Sequence, residues 1–207
     1  MLRVTIVDHP IIRTRLSRVR AVETDTESFR RHLHDIARLM CFEVCRDLET
    51  VEATVQTPLV KTTGYQLARP VVLVPILRAG VGMLQGFIEI LSEASIGNIG
   101  MYRDEETLEP KSYYSKMPQN LEEAEVILID PMLATGCSSA EAVTQLKQAG
   151  AKNLRFVCLI ASPEGVAAFN EAHPDVTIYT AAVDEKLDEN AYILPGLGDA
   201  GDRYFGT

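Results

Sequence analysis

With 207 residues, 24% of them charged, and a formal net charge of −9, the chain is long enough to bury a substantial core as one domain. Its acidity disfavours a nucleic-acid binder that works by neutralising phosphates, and no apolar run reaches the ~18 residues of a membrane span. Arg3, Asp8, Arg13, Arg15 and Arg18 interrupt the start of the chain, so it reads as neither leader nor anchor, and the expected compartment is cytoplasmic.

Val4 to Val7 reads as a short strand, after which Asp8 and Pro10 suit a helix entry, the aspartate as cap and the proline near the first helical position. Ile11, Ile12, Leu16 and Val19 form an apolar stripe, and Arg13, Arg15, Arg18 and Arg20 read as its solvated opposite face. A capping box from Thr24 to Glu27 opens the longest helical stretch, with Phe29, Leu33, Ile36, Ala37, Met40 and Val44 at helical spacing up to about Leu48. Cys41 and Cys45 share one face of it and read as small core residues. With Cys137 and Cys158 they form no CxxC pair and no metal array with His9, His32, His34 or His173, so reduced thiols are expected.

Glu52 to Gln66, with Pro58 and Gly64 among short apolar runs, reads as a small hairpin or an irregular excursion. Arg69 to Leu77 is then a near-continuous apolar run of the kind a strand buried on both faces shows, and Arg78-Ala79-Gly80 turns it into a helix over Val81 to Leu91. Further strands are expected at Ile96 to Tyr102, Val126 to Asp130, Leu154 to Ala161 and Val176 to Val183, with helices at Ser139 to Gln148 and Pro163 to Ala172. That alternation predicts an α/β fold, a parallel β-sheet flanked by helices, with ligands gathering at the carboxyl ends of the strands. The stretch 103–120 is charged, aromatic and long for a connection, which suggests a functional arm or flap. The tail 184–207 has almost no helical period but carries Gly196, Gly198 and Gly201, which permit close approach of main chain to a ligand.

The chemistry centres on VILIDPMLATGCSS, Val126 to Ser139. A strand ending in Asp130 leads through Pro131, Met132, Leu133 and Ala134 to Thr135, Gly136, Cys137, Ser138 and Ser139 at a helix N-terminus. Free N–H groups and the helix dipole make that end an anion site. An ionised Asp130 only accepts hydrogen bonds and so suits vicinal sugar hydroxyls, and a phosphate site beside it points to a ribose phosphate. Arg78, at the carboxyl end of another buried strand, can hold a diphosphate through paired donors, the alternative being a surface arginine paired with a carboxylate. Arg103 ends the next strand and is read in the same way. Gly80, Gly82 and Gly86 imitate a dinucleotide-binding fingerprint, the mark of an oxidoreductase, but Arg78 before the turn and the separate phosphate loop weaken it. Those glycines are expected to serve bending and helix packing. Neither a G-x-x-x-x-G-K-[ST] loop nor a G-x-S-x-G setting occurs.

Four stretches in order, VPILRAGVGM at 74–83, MYRDEETLEP at 101–110, DPMLATG at 130–136 and YILPGLGDAGDRYFGT at 192–207, resemble the uracil phosphoribosyltransferases of the type I phosphoribosyltransferase class. The likeness extends to RDLET at 46–50 and SPEGVAAFNEAHPDV at 162–176. The resemblance implies a single phosphoribosyltransferase domain over 1–207, a flap at 103–120 that also serves assembly, and a base-binding hood at 184–207. It implies transfer of phosphoribosyl from phosphoribosyl diphosphate to uracil with Mg²⁺, the metal held mainly through the substrate diphosphate. By position, Arg78, Arg103, Asp130 to Ser138 and Asp199 match contacts to phosphoribosyl diphosphate, and Ile193, Gly198, Asp199 and Ala200 match the uracil site. Family members form homodimers or homotetramers, some are activated by GTP, and neither nucleic acid nor membrane is an expected partner. Cys137 stands where the family usually has a second glycine; its amide is expected to face the phosphate while the thiol turns away. A reactive low-pKa thiol there is the competing reading. A regulatory protein that keeps the site as a sensor is the competing function, and the intact arginines and Asp130 count against it.

Overall fold

The computed structural model describes residues 3–103 and 110–207, with Arg103 and Pro110 described by their backbone alone. Strand β1 (Val4–Ile6) leads into α1 (Pro10–Arg20), which is capped by His9 rather than Asp8. The imidazole Nδ1 of His9 accepts from Ile11 N–H at 3.2 Å, while Asp8 pairs with Arg13. Helix α2 (Thr26–Val44) likewise starts one residue later than the Thr24 box predicts: Asp25 accepts from Ser28 N–H at 2.7 Å, and the Thr24 hydroxyl is spent on the Arg18 carbonyl. An aspartate three residues before a free N–H serves the same capping chemistry. The α2 residues expected at helical spacing, Phe29 through Val44, are buried as one stripe.

The hairpin expected next is formed by β2 (Thr50–Gln56) and β3 (Lys61–Leu67), a separate antiparallel pair. The buried run is β4 (Val71–Leu77), and α3 (Val81–Ile88) ends three residues before the expected Leu91. There follow β5 (Ser95–Ile96), β6 (Asn98–Arg103), β7 (Pro110–Lys116), β8 (Glu125–Ile129), β9 (Met132–Leu133), α4 (Cys137–Gln148), β10 (Asn153–Ala161), α5 (Pro163–Ala172) and β11 (Thr177–Val183). The tail contains β12 (Lys186–Leu187), β13 (Ile193–Leu194) and, against expectation, a short helix α6 (Ala200–Phe205) capped by Asp199. Six residues are too few to display a helical period, which is why pattern reading passes over α6.

Among the described residues the main sheet runs β1-β11-β10-β8-β4-β6-β7, with β5 beside β4 and β9 beside β10. Every pairing is parallel except β6 with β7, where the second part of the expected arm doubles back along β6 with a register shift at Gly100/Met101. The remainder of that arm, 104–109, lies outside the described residues. Side chains alternate between two cores. One joins β4, β8 and β10 to α1, α2 and α3 through Ile12, Phe29, Met83 and Phe87, and the other joins them to α4 and α5 through Val143, Leu146 and Phe169. Parallel strands put Arg78, Arg103 and Asp130 at one edge of the sheet, where such folds place ligands.

Candidate active site

Asp130 stands at the carboxyl end of β8, and the chain then folds tightly against β10. The Pro131 carbonyl accepts from both Leu159 and Ile160 N–H groups, and Met132 and Leu133 pair with β10. Pro131 and Leu133 therefore face inward and are buried, whereas Asp130, Met132 and Ala134 line an open cavity of about 220 Å³. Gly136 turns the chain with a left-handed φ of 82°, a conformation that costs glycine little, and starts α4 with no side-chain cap. The first-turn N–H groups at Cys137, Ser138 and Ser139 are the ones a helix leaves for an outside acceptor. Cys137 does not strain this loop: Asn120 and Ala191 are the described non-glycine residues with positive φ, and the Cys137 side chain is exposed.

The opposite wall of the cavity comes from the tail. Ile193, Gly198, Asp199 and Ala200 line the same space as Asp130, so the expected base-site residues and the expected sugar contact converge although some 60 residues separate them. Burial pushes the Asp130 carboxyl up, to about 7; the Met132 N–H, bonded at 3.3 Å, opposes that rise and the Asp199 charge adds to it. Ala79 also lines the cavity, but Arg78 next to it does not. The Arg78 guanidinium instead reaches Asp202 Oδ1 at 3.4 Å and lies 5.5 Å from the Phe205 ring centroid, both on α6. This is the surface pairing that competes with a diphosphate role, yet a pair this long and 61% and 52% exposed is weak enough for a phosphate to displace. Arg103 ends β6 at the same edge, and its side chain lies outside the description.

The three glycines of the apparent dinucleotide fingerprint have packing duties. A Cβ at Gly80 would lie 2.5 Å from the Ile129 carbonyl oxygen, and one at Gly86 would lie 2.7 Å from Ala37 Cβ and 2.8 Å from the His34 carbonyl oxygen. Arg78 is thereby held against the strand that carries Asp130, and α3 against α2.

The uracil phosphoribosyltransferase family profile matches residues 6–207. The chain is 55% identical over 203 residues to uracil phosphoribosyltransferase of Ligilactobacillus salivarius (strain UCC118), covering 98% of this chain and 97% of that one. It is 53% identical to the Staphylococcus aureus (strain Newman) enzyme of the same name, with both chains covered in full. The chain belongs to the uracil phosphoribosyltransferase family. Among solved structures, the AQ2163 protein from Aquifex aeolicus superposes with a TM-score of 0.94 at 34% identity, over 99% of this chain and 98% of that one. A hypoxanthine-guanine phosphoribosyltransferase from Bacillus anthracis shares the fold at TM-score 0.54 and 16% identity, over 77% and 80% of the two chains.

In this family member, what holds the tail over the cavity is a set of residues to which pattern reading assigned no such role. Arg20, read as part of a solvated helix face, is in fact paired with the buried Asp184 through two bonds of 2.5 and 2.7 Å, and it donates to the Gly196 carbonyl at 2.7 Å. Asp184 also accepts from Gly196 N–H at 3.0 Å. Arg203 donates to the carbonyls of Val19, Ala21 and Leu197 and covers the Phe29 ring at 4.6 Å. One signal was available. Asp184 follows β11 directly, at the same carboxyl edge that singled out Asp130.

Proposed function

We propose that phosphoribosyl diphosphate binds with its 5-phosphate on the N-terminus of α4, its ribose hydroxyls on Asp130 and its diphosphate toward Arg78 and Arg103, while uracil lies beneath Ile193 and Gly198 to Ala200. As a family member the chain transfers the 5-phosphoribosyl group from phosphoribosyl diphosphate to uracil, giving UMP and diphosphate in pyrimidine salvage. The observation that carries the site assignment is one cavity with Asp130 on its floor and the glycine-rich tail as its wall, next to an uncapped helix N-terminus. In the reaction the ribose C1–O bond to diphosphate breaks as the bond to uracil N1 forms, and the N1 proton is lost. Positive charge develops on the ribose and negative charge on the leaving group, so guanidinium groups aimed at the diphosphate stabilise the transition state more than the ground state. An ionised Asp130 holds the ribose hydroxyls and opposes the positive charge of the ring. Main-chain N–H and C=O groups of the tail suit the alternating donors and acceptors of uracil.

Asp130 and Asp199 supply hard oxygen donors in the cavity, and no cluster of three or more metal-ligating side chains exists among the described residues. That donor set fits an Mg²⁺ held chiefly by substrate oxygens and water, a coordination this ion favours. When bound, Mg²⁺ neutralises charge on the diphosphate. Homodimer or homotetramer assembly, activation by GTP and a cytoplasmic location belong to the same proposal, as do the single domain over 1–207 and the flap at 103–120. No helix among the described residues is long and apolar enough to cross a membrane. Incubating the protein with phosphoribosyl diphosphate, Mg²⁺ and each common nucleobase is expected to give UMP from uracil. Formation of a different nucleotide, or none, would overturn the reading.

A further inference from the structure

The stretch 162–176 resembles the family without a role attached to it, and its first turn lies between the two halves of the cleft. Resting on the reading of 130–138 as the phosphate cradle, we propose that Ser162 to Gly165 braces the cradle and the hood at a set separation, with Ser162 and Glu164 as positioning residues.

Ser162 is fully buried. Its N–H donates to the Leu133 carbonyl at 2.9 Å, and its Oγ lies 2.8 Å from Gly165 N and 2.6 Å from the Ala134 carbonyl oxygen. The Gly165 amide can only donate, so the single hydroxyl proton must go to Ala134. Ala134 immediately precedes the Thr135-Gly136 turn of the cradle. The fit leaves no slack: a Cβ at Gly165 would lie 2.2 Å from the Ala134 oxygen and 2.6 Å from the Leu133 oxygen, and one at Gly136 would lie 2.9 Å from the Gly165 oxygen. The same turn reaches the other wall. Glu164 Oε1 accepts from Leu187 N–H at 3.3 Å, and Asp184 N–H donates to the carbonyl of Ala161, just before Ser162, at 2.8 Å. A reaction between a sugar held by one wall and a base held by the other depends on their spacing, and misplacement by ~1 Å costs about 10²-fold.

The test uses the full chain and the variants Ser162→Ala, Ser162→Thr and Glu164→Ala. Initial rates are measured separately against phosphoribosyl diphosphate and uracil. Loss of one buried hydroxyl lets the cradle shift relative to the hood, so Ser162→Ala should raise KM for phosphoribosyl diphosphate about 10-fold and also lower kcat about 10-fold, with KM for uracil little changed. Ser162→Thr, which keeps the hydroxyl, should recover most of that loss. Glu164→Ala, at an exposed position that leaves the core intact, should instead raise KM for uracil about 3-fold. A readout apart from turnover is calorimetric titration with phosphoribosyl diphosphate and Mg²⁺ in the absence of uracil. The dissociation constant should rise about 10-fold in Ser162→Ala only. If the unaltered protein does not bind phosphoribosyl diphosphate, the cradle reading fails and the brace with it. If it binds but equally tightly in Ser162→Ala, or if Glu164→Ala leaves KM for uracil unchanged, the brace alone is overturned.

Discussion

Asp130 is where the chemistry of one residue says most about the protein. Its carboxyl titrates near 7 in the folded chain against an ordinary 3.8, so the folded protein favours the protonated form between those values. Holding the group ionised above neutrality therefore costs stability, and the cost fades as pH falls toward 4. Asp130→Asn should stabilise the unliganded protein by on the order of 1–3 kcal/mol at pH of about 8 while abolishing most activity. Urea unfolding at pH of about 8 and about 4.5 checks this: an equal difference at both values would show that the burial cost has been misassigned. Asp130 was legible as a strand-end carboxylate beside a loop that opens a helix. The elevated titration was not, because it comes first from burial in the folded chain and then from the charge of Asp199, far off in the sequence.

At the scale of elements, strands with continuous apolar runs were legible, α3 and α5 begin at the residues expected, α4 begins two residues before the expected Ser139, and the caps of α1 and α2 were displaced by a residue. Several side chains near a helix start satisfy the same capping chemistry, as His9 and Asp25 do in place of Asp8 and Thr24. The arginine of α1 that matters could not be distinguished by period from its solvated neighbours, since the partner of Arg20 is 164 residues away. The glycines at 80, 82 and 86 were legible as packing residues. Gly86→Ala should destabilise the fold by about 1–3 kcal/mol, because backbone atoms of α2 bound the site and cannot give way as a side chain would. Thermal or denaturant unfolding measures the difference, and a neutral result would mean that α3 is free to shift away from α2.

For the whole molecule, the β2–β3 hairpin has no strand partner outside itself among the described residues, and Leu59, Val60 and Tyr65 on it are 90%, 64% and 70% exposed. A lone two-stranded hairpin is marginal in water, so exposed apolar groups on one favour cover by another chain. This supports the proposed homo-oligomer. Static light scattering should return a mass of at least two chains, and the combined substitutions Leu59→Ser, Val60→Ser and Tyr65→Ser should lower it toward one. A monomer without substitution would end the proposal. Pattern reading located this hairpin but could not weigh it, because isolation from the main sheet is a property of topology.

The tail has a bearing on redesign. At Gly196 a side chain would stand 2.0 Å from the Ile193 carbonyl oxygen, and Tyr192 and Leu194 flank buried Ile193 while themselves exposed. On the proposed reading, a uracil wall made from backbone should respond weakly to exchange of its exposed side chains. Libraries that seek a broader range of pyrimidine analogues would gain more from varying loop length between Asp188 and Pro195 than from saturating single positions.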